Sequence, residues 1–270
     1  MAVVTETESN GPAPTAAGPG GAVSTRPKRE RPPIGLFGIP IFVAIVMVGW
    51  LIWRLNADLD SVVMRTMNWS SMGAFLWQHI KLTVVGTVLV MIVAIPLGVA
   101  LTRPALRKFS GPVVAFANGG QAAPSIGLLV LLAMWLGFGF WTAILALGIY
   151  AILPVLQNTI TGLNGVDRNL TEAGRGMGMS AAAVLLRIEI PLAIPVIMSG
   201  VRTALVLMVG TASLATFINA GGLGIYITTG VNLFRNELLI TGAILIAALA
   251  LMIDWVGRVL EYVVRPKGMR

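Results

Sequence analysis

Six long apolar segments, at about 34–53, 82–101, 113–136, 140–160, 190–218 and 239–262, carry almost no charge along their length. A helix needs roughly 20 such residues to cross the hydrocarbon core of a bilayer. Inside that core every backbone N–H and C=O must find its partner within the protein, so runs of this kind form helices. The expected fold class is all-α, a polytopic membrane protein with six transmembrane helices. Composition agrees, because 56% hydrophobic and 11% charged residues leave a 270-residue chain with too little polar surface to cover a soluble globule. Pro124 falls in the third run and Pro195 in the fifth, so those spans are expected to be kinked or broken.

A net charge of +8 would suit a nucleic-acid surface, but its distribution points elsewhere. Arg26, Lys28, Arg29 and Arg31 precede the first span, Arg103, Arg107 and Lys108 follow the second, Arg168, Arg175 and Arg187 follow the fourth, and Arg258, Arg265, Lys267 and Arg270 end the chain. These are fourteen of the nineteen basic residues; only Arg54, Arg65, Lys81 and Arg235 fall on the other side, and Arg202 lies within a span. The positive-inside rule then places both termini and the 161–189 loop in the cytoplasm, and topology explains the charge without nucleic acid. Trp50, Trp53, Trp135, Phe138, Trp141, Phe217 and Phe234 cluster near the opposite ends, as an outer aromatic belt would.

Residues 1–33, rich in Pro, Gly, Ala, Ser and Thr, read as a disordered basic tail, 34–264 as the transmembrane domain, and 265–270 as a short cytoplasmic tail. The tail's basic cluster also suits anionic membrane lipid. With no cysteine and one histidine, His79, no metal site is expected. The amphipathic stretch 72–82 reads as an interfacial helix entering the second span, with His79 in a connector lying on the membrane.

The segment 167–193 breaks the apolar pattern with a polar, glycine-punctuated hairpin. In so uncharged a chain, this is where an aqueous partner would make contact. Asn169 and Glu172 have capping-box spacing, which predicts a helix from about Leu170. Gly178 can end that helix, and Ser180 can cap a second one running through Arg187. Gly174, Gly176 and Gly178 each weaken a helix by about 1 kcal/mol relative to alanine, which implies that a surface approaches closely.

This hairpin resembles the cytoplasmic signature of bacterial ATP-binding-cassette importer permeases: Glu-Ala-Ala, three residues, Gly, nine residues, then Ile-x-Leu-Pro. The positions are Glu172, Ala173, Gly174, Gly178, Ile188, Ile190 and Pro191, of which five of seven match. The resemblance implies that the hairpin, with Ser180, is a coupling helix seated on a separate cytoplasmic ATP-binding subunit. ATP and Mg would be bound there and no cofactor on this chain, which also lacks a phosphate-binding GxxxxGK[ST] loop. It further implies a second permease subunit, identical or related, an extracytoplasmic substrate-binding protein, and location in the bacterial cytoplasmic membrane.

Three further segments resemble permeases for glycine betaine, choline and related quaternary amines: Gln121, Pro124 and Ser125; Tyr150, Leu153, Pro154, Asn158 and Thr159; and Gly221, Gly222, Leu223 and Gly224. Gln121, Ser125, Tyr150, Asn158, Thr159 and Thr211 are the candidate path-lining residues; interhelical hydrogen bonding is the competing role for such groups. Departures at Ala122, Ala123 and Asn219 bear on the substrate more than on transport. Arg202 and Asp254, each costing about 2.5 to 3.5 kcal/mol alone in a span, are expected to form a structural ion pair. The alternatives are an importer of another small solute such as a methionine-like amino acid, a secondary transporter, and a membrane anchor. A secondary transporter would carry several intramembrane carboxylates and an internal repeat.

Overall fold

The computed structural model describes residues 35–264, all of whose regular elements are helical. Both tails read from the sequence, 1–33 and 265–270, lie outside the described residues. Helix α1 (Gly35–Asn56) is followed by the short α2 (Ser61–Thr66) and the long α3 (Trp69–Thr102). Next come α4 (Ser110–Ala122), α5 (Ser125–Leu136) and α6 (Phe140–Asn164), and then the hairpin helices α7 (Arg168–Gly176) and α8 (Ala181–Val184). Helix α9 (Ile190–Ala212), a 3₁₀ turn (Ser213–Ile218), α10 (Gly224–Asn232) and α11 (Asn236–Val264) complete the described part of the chain.

Among the described residues five helical segments are long and apolar enough to cross a membrane: Phe37–Asn56, Trp69–Thr102, Phe140–Asn164, Ala181–Ile218 and Asn236–Glu261. The sixth apolar run is a broken pair, bent by 95° between α4 and α5. The kink expected at Pro124 is thus a sharp corner. Proline drives the residue before it out of the helical region, and Ala123 is extended at φ −64° and ψ 147°.

The 72–82 stretch is not a separate interfacial helix. It is the N-terminal part of α3, whose 34 residues extend about 50 Å because no proline interrupts the entry to the span. Trp50, expected in the outer belt, is buried and donates from Nε1 to Thr241 Oγ1 at 3.2 Å. Trp135, Phe138, Trp141, Phe217 and Phe234 are exposed, as a belt requires.

The core is where α6 packs between α3 and α9. Small side chains there, among them Ala94, Ala151, Ala193 and Ala204, let the backbones approach closely. At Gly200 the approach involves the backbone of α6, since a Cβ would lie 2.6 Å from both the Pro154 carbonyl oxygen and Asn158 Cβ. A second cluster joins α1, α2, α10 and α11 through Trp50, Val63, Met67, Leu223, Tyr226 and Leu238.

Candidate functional site

The hairpin leaves α6 at Gly165. Its first helix begins at Arg168, two residues earlier than the expected Leu170, because Asp167, and not Asn169, is the cap: Asp167 Oδ1 accepts from the Asn169 N–H at 2.9 Å. An aspartate there also places negative charge against the positive end of the helix dipole. The helix ends on a Schellman motif, with Gly178 N–H bonded to Arg175 O at 2.9 Å and Met179 N–H to Gly174 O at 3.1 Å. Gly178 supplies the left-handed residue at φ +84° that this motif needs. Ser180 Oγ then accepts from Ala183 N–H at 3.2 Å and starts α8.

Gly174 is buried, and a Cβ on it would lie 2.6 Å from Ile188 Cδ1. The surface that approaches this glycine is therefore the hairpin's own second half. Glu172 and Ala173 point outward, with Leu170, Met177 and Leu186 also exposed. Beyond its internal packing the hairpin presents these apolar residues and Glu172 beside the exposed Arg168, Arg175 and Arg187.

A π-turn, Leu185–Glu189, joins α8 to α9. Pro191 has no N–H to bond the Arg187 carbonyl, and the Ile190 N–H reaches back five residues to Leu185 O. The hairpin's second helix consequently runs without a break into a core helix. Glu189, in this turn, is buried, and its Oε2 lies 2.6 Å from Arg103 Nη2 at the end of α3. The sequence reading missed this pair, having used Arg103 only as a topological charge. The available signal was a lone carboxylate in an apolar run, which demands a partner.

Arg202 Nε lies 3.5 Å from Asp254 Oδ1 between α9 and α11. Two further charges join them: Glu261 Oε2 at 3.1 Å from Arg202 Nη1, and Arg258 Nε at 2.8 Å from Asp254 Oδ2. The group is a network of alternating charge, wider than the expected pair.

The candidate path residues divide into two groups. Pro154 cannot donate to the Tyr150 carbonyl one turn earlier, and Gln121 Nε2 takes that acceptor at 3.1 Å. Tyr150 Oη in turn donates to Ala123 O, at the α4–α5 corner. Thr159 is fully buried against Gly98 and bonds Val155 O at 2.7 Å. Gln121 and Tyr150 thereby tie α4 to α6, and Thr159 packs α6 onto α3. Asn158 bonds Pro154 O at 2.8 Å and Thr211 bonds Leu207 O at 2.8 Å, both on their own helices; they and Ser125 remain half-buried.

At the opposite end of the bundle, His79 is fully buried and not part of a surface connector. Its Nδ1 accepts from Leu223 N–H at 3.1 Å and its Nε2 donates to Val209 O at 2.9 Å, which defines a neutral ring protonated on Nε2. Gln78 Oε1 accepts from Gly222 N–H at 3.1 Å. Gly221 and Gly222 adopt φ +84° and +100°, a conformation that suits only glycine this close to α3. Gln78 and His79 together clamp the Gly-Gly-Leu-Gly turn. Among the described residues no group of three or more His, Cys, Asp or Glu side chains could hold a metal ion.

The sequence profile of the family described as "binding-protein-dependent transport system inner membrane component" matches residues 94–266. The chain is 46% identical over 193 residues to the glycine betaine/carnitine/choline transport system permease protein OpuCB of Bacillus subtilis (strain 168), covering 72% of this chain and 88% of that one. It is 36% identical over 217 residues to the osmoprotectant import permease protein OsmW of Salmonella typhimurium, covering 78% and 100%. A chain from an inward-facing structure of the MetNI methionine ABC transporter superposes with a TM-score of 0.66 at 23% identity, over 77% of this chain and all of that one. That likeness shows the fold.

Proposed function

The chain belongs to the family of binding-protein-dependent transport system inner membrane components, and from that membership we propose that it is the permease of an ATP-driven importer of osmoprotectants such as glycine betaine, carnitine and choline. It is a multi-pass inner-membrane subunit, its transporter includes a binding protein, and ATP hydrolysis belongs to a separate chain. The substrate class rests on one observation. Permeases named for glycine betaine, choline or carnitine transport match 72% of this chain at 43–46% identity.

The hairpin is the seat of the ATP-binding subunit, which binds Mg and ATP and hydrolyses the nucleotide. Glu172, Ala173 and the exposed Leu170 and Met177 form its contact face, while Gly174, Gly178, Ser180, Ile188 and Pro191 shape the hairpin behind them. Motion of this face passes through α8 and the π-turn into α9, which packs on α6 and α11. The hairpin end faces the cytoplasm and both termini lie on that side, as the basic residues require. A second permease subunit, identical or related, completes the path, to which Ser125, Asn158 and Thr211 contribute polar groups. The Arg202–Asp254 network holds α11 to α9 in the half of the bundle nearer the hairpin, and neither nucleic acid nor metal has a part.

The test is uptake of radiolabelled glycine betaine, carnitine and choline by cells lacking their own osmolyte importers and expressing this chain with its ATP-binding and substrate-binding partners. Saturable, energy-dependent uptake of at least one compound is expected. Absence of uptake of all three, with the subunits assembled in the membrane, would refute the substrate class.

A further inference from the structure

At the end of the bundle opposite the hairpin lies a cavity of about 420 Å³ between α3, the start of α6 and the turn that follows α9. Phe75, Gln78 and Lys81 line it from one face of α3, Phe140 from α6, and Thr216 and Asn219 from the turn. The placement follows from chain direction, since α3 enters here and leaves at Arg103 beside the hairpin, whereas α6 begins here and α9 ends here.

The cavity is chemically two-sided. Lys81 is its one charged lining residue, and no carboxylate lies among the described lining residues. The Lys81 ammonium sits 5.3 Å from the Phe140 ring centroid. Gln78 commits its Oε1 to the Gly222 N–H, which leaves its NH₂ as the end able to serve a ligand. Asn219 holds a left-handed conformation at φ 58°, one that asparagine tolerates, and its exposed carboxamide adds further donors at the rim. Phe75 and Phe140 supply aromatic walls.

We infer that this cavity is an outer binding site for a small zwitterion, with Lys81, Asn219 and the Gln78 amide holding its carboxylate and the Phe75 and Phe140 rings receiving its methylated ammonium. The inference rests on the osmoprotectant reading above and adds a specificity to it. An ammonium at Lys81 repels a second cation but attracts a carboxylate, and it turns a betaine so that its cationic end meets the rings. Choline has the ammonium without the carboxylate and gains nothing from Lys81. The site therefore favours carboxylated substrates over choline.

The experiment measures maximal uptake of glycine betaine, carnitine and choline through the whole transporter with saturated binding protein, normalised to membrane abundance, for wild type, Lys81→Met, Lys81→Arg and Asn219→Asp. Losing a charge-assisted hydrogen bond corresponds to about a tenfold effect or more. Lys81→Met is expected to lower betaine and carnitine transport about tenfold relative to choline, Lys81→Arg to restore it, and Asn219→Asp to shift the betaine-to-choline ratio the same way as Lys81→Met. Choline is the internal control for folding. Equal loss of all substrates, or no change in the ratio, would overturn the site while leaving the osmoprotectant reading intact. Wild type that carries choline alone would also overturn it, and wild type that carries none of the three would remove both.

Discussion

The buried pair between Arg103 and Glu189 ties the end of α3 to the turn that carries the hairpin into α9, so its loss should be felt in both stability and coupling. Glu189 is 8% exposed and meets the guanidinium at 2.6 Å, a short charge-assisted contact. Truncating one partner of a fully buried pair costs about 3–5 kcal/mol, because the other charge is left stranded. The Arg103 side chain is 34% exposed, so water can partly replace it, and the expected cost of Arg103→Met falls to about 2–3 kcal/mol. Arg103→Met with Glu189→Met removes both charges and should cost less than Arg103→Met alone. Unfolding midpoints of the four proteins of this cycle, measured in lipid nanodiscs, would give a coupling energy of about 1.5–3 kcal/mol. Transport per ATP hydrolysed should fall in each single mutant. Single-mutant costs that add to the double-mutant cost within about 0.5 kcal/mol would refute the reasoning.

Gly200→Ala should destabilise by about 1–3 kcal/mol, because its Cβ would meet backbone and Cβ atoms of α6 that cannot rotate away, whereas Gly210→Ala, with nothing within 4 Å, should be neutral or stabilising; thermal unfolding of the two variants side by side checks the contrast. Tyr226 is fully buried and its hydroxyl has no hydrogen-bond partner among the described residues, so Tyr226→Phe should raise stability by up to about 1 kcal/mol while keeping the edge contact to Phe75; a lower unfolding midpoint would contradict this. Asp60 caps α2 outside the spans, and the Val63 N–H, with Arg235 and the Val62 N–H, holds its carboxyl below the ordinary 3.8. Its contribution is therefore complete above that value and lost as pH falls through the lower folded-state value; Asp60→Asn should abolish that part of the acid dependence, read as the change in unfolding midpoint between pH 5 and 3.

Much of the fold was legible because lipid imposes a simple rule: an uncharged run of sufficient length must be a helix, and only its proline positions qualify the result. The hairpin was legible from a spacing that links Glu172 to Pro191 across one turn. What escaped reading depends on residues far apart in sequence. That Gln121 occupies the Tyr150 carbonyl freed by Pro154 follows only once α4 is seen against α6. His79 looks like a connector residue until the Gly-Gly-Leu-Gly turn, more than 140 positions away, is seen against it. Arg202 and Asp254 demanded partners on energetic grounds, but no local pattern distinguished Glu261 as a third member. The helix cap failed for a smaller reason: Asp167 and Asn169 are both good caps, and only the backbone entering from Gly165 decides between them.

In the proposed function the hairpin is the link between ATP hydrolysis and the spans. The most direct measurement is ATP-driven uptake of glycine betaine into proteoliposomes that contain this chain, its ATP-binding subunit and the substrate-binding protein, comparing wild type with Glu172→Lys at equal incorporation. Loss of uptake together with weakened retention of the ATP-binding subunit is the predicted result. Undiminished uptake by the Glu172→Lys protein would contradict the claim.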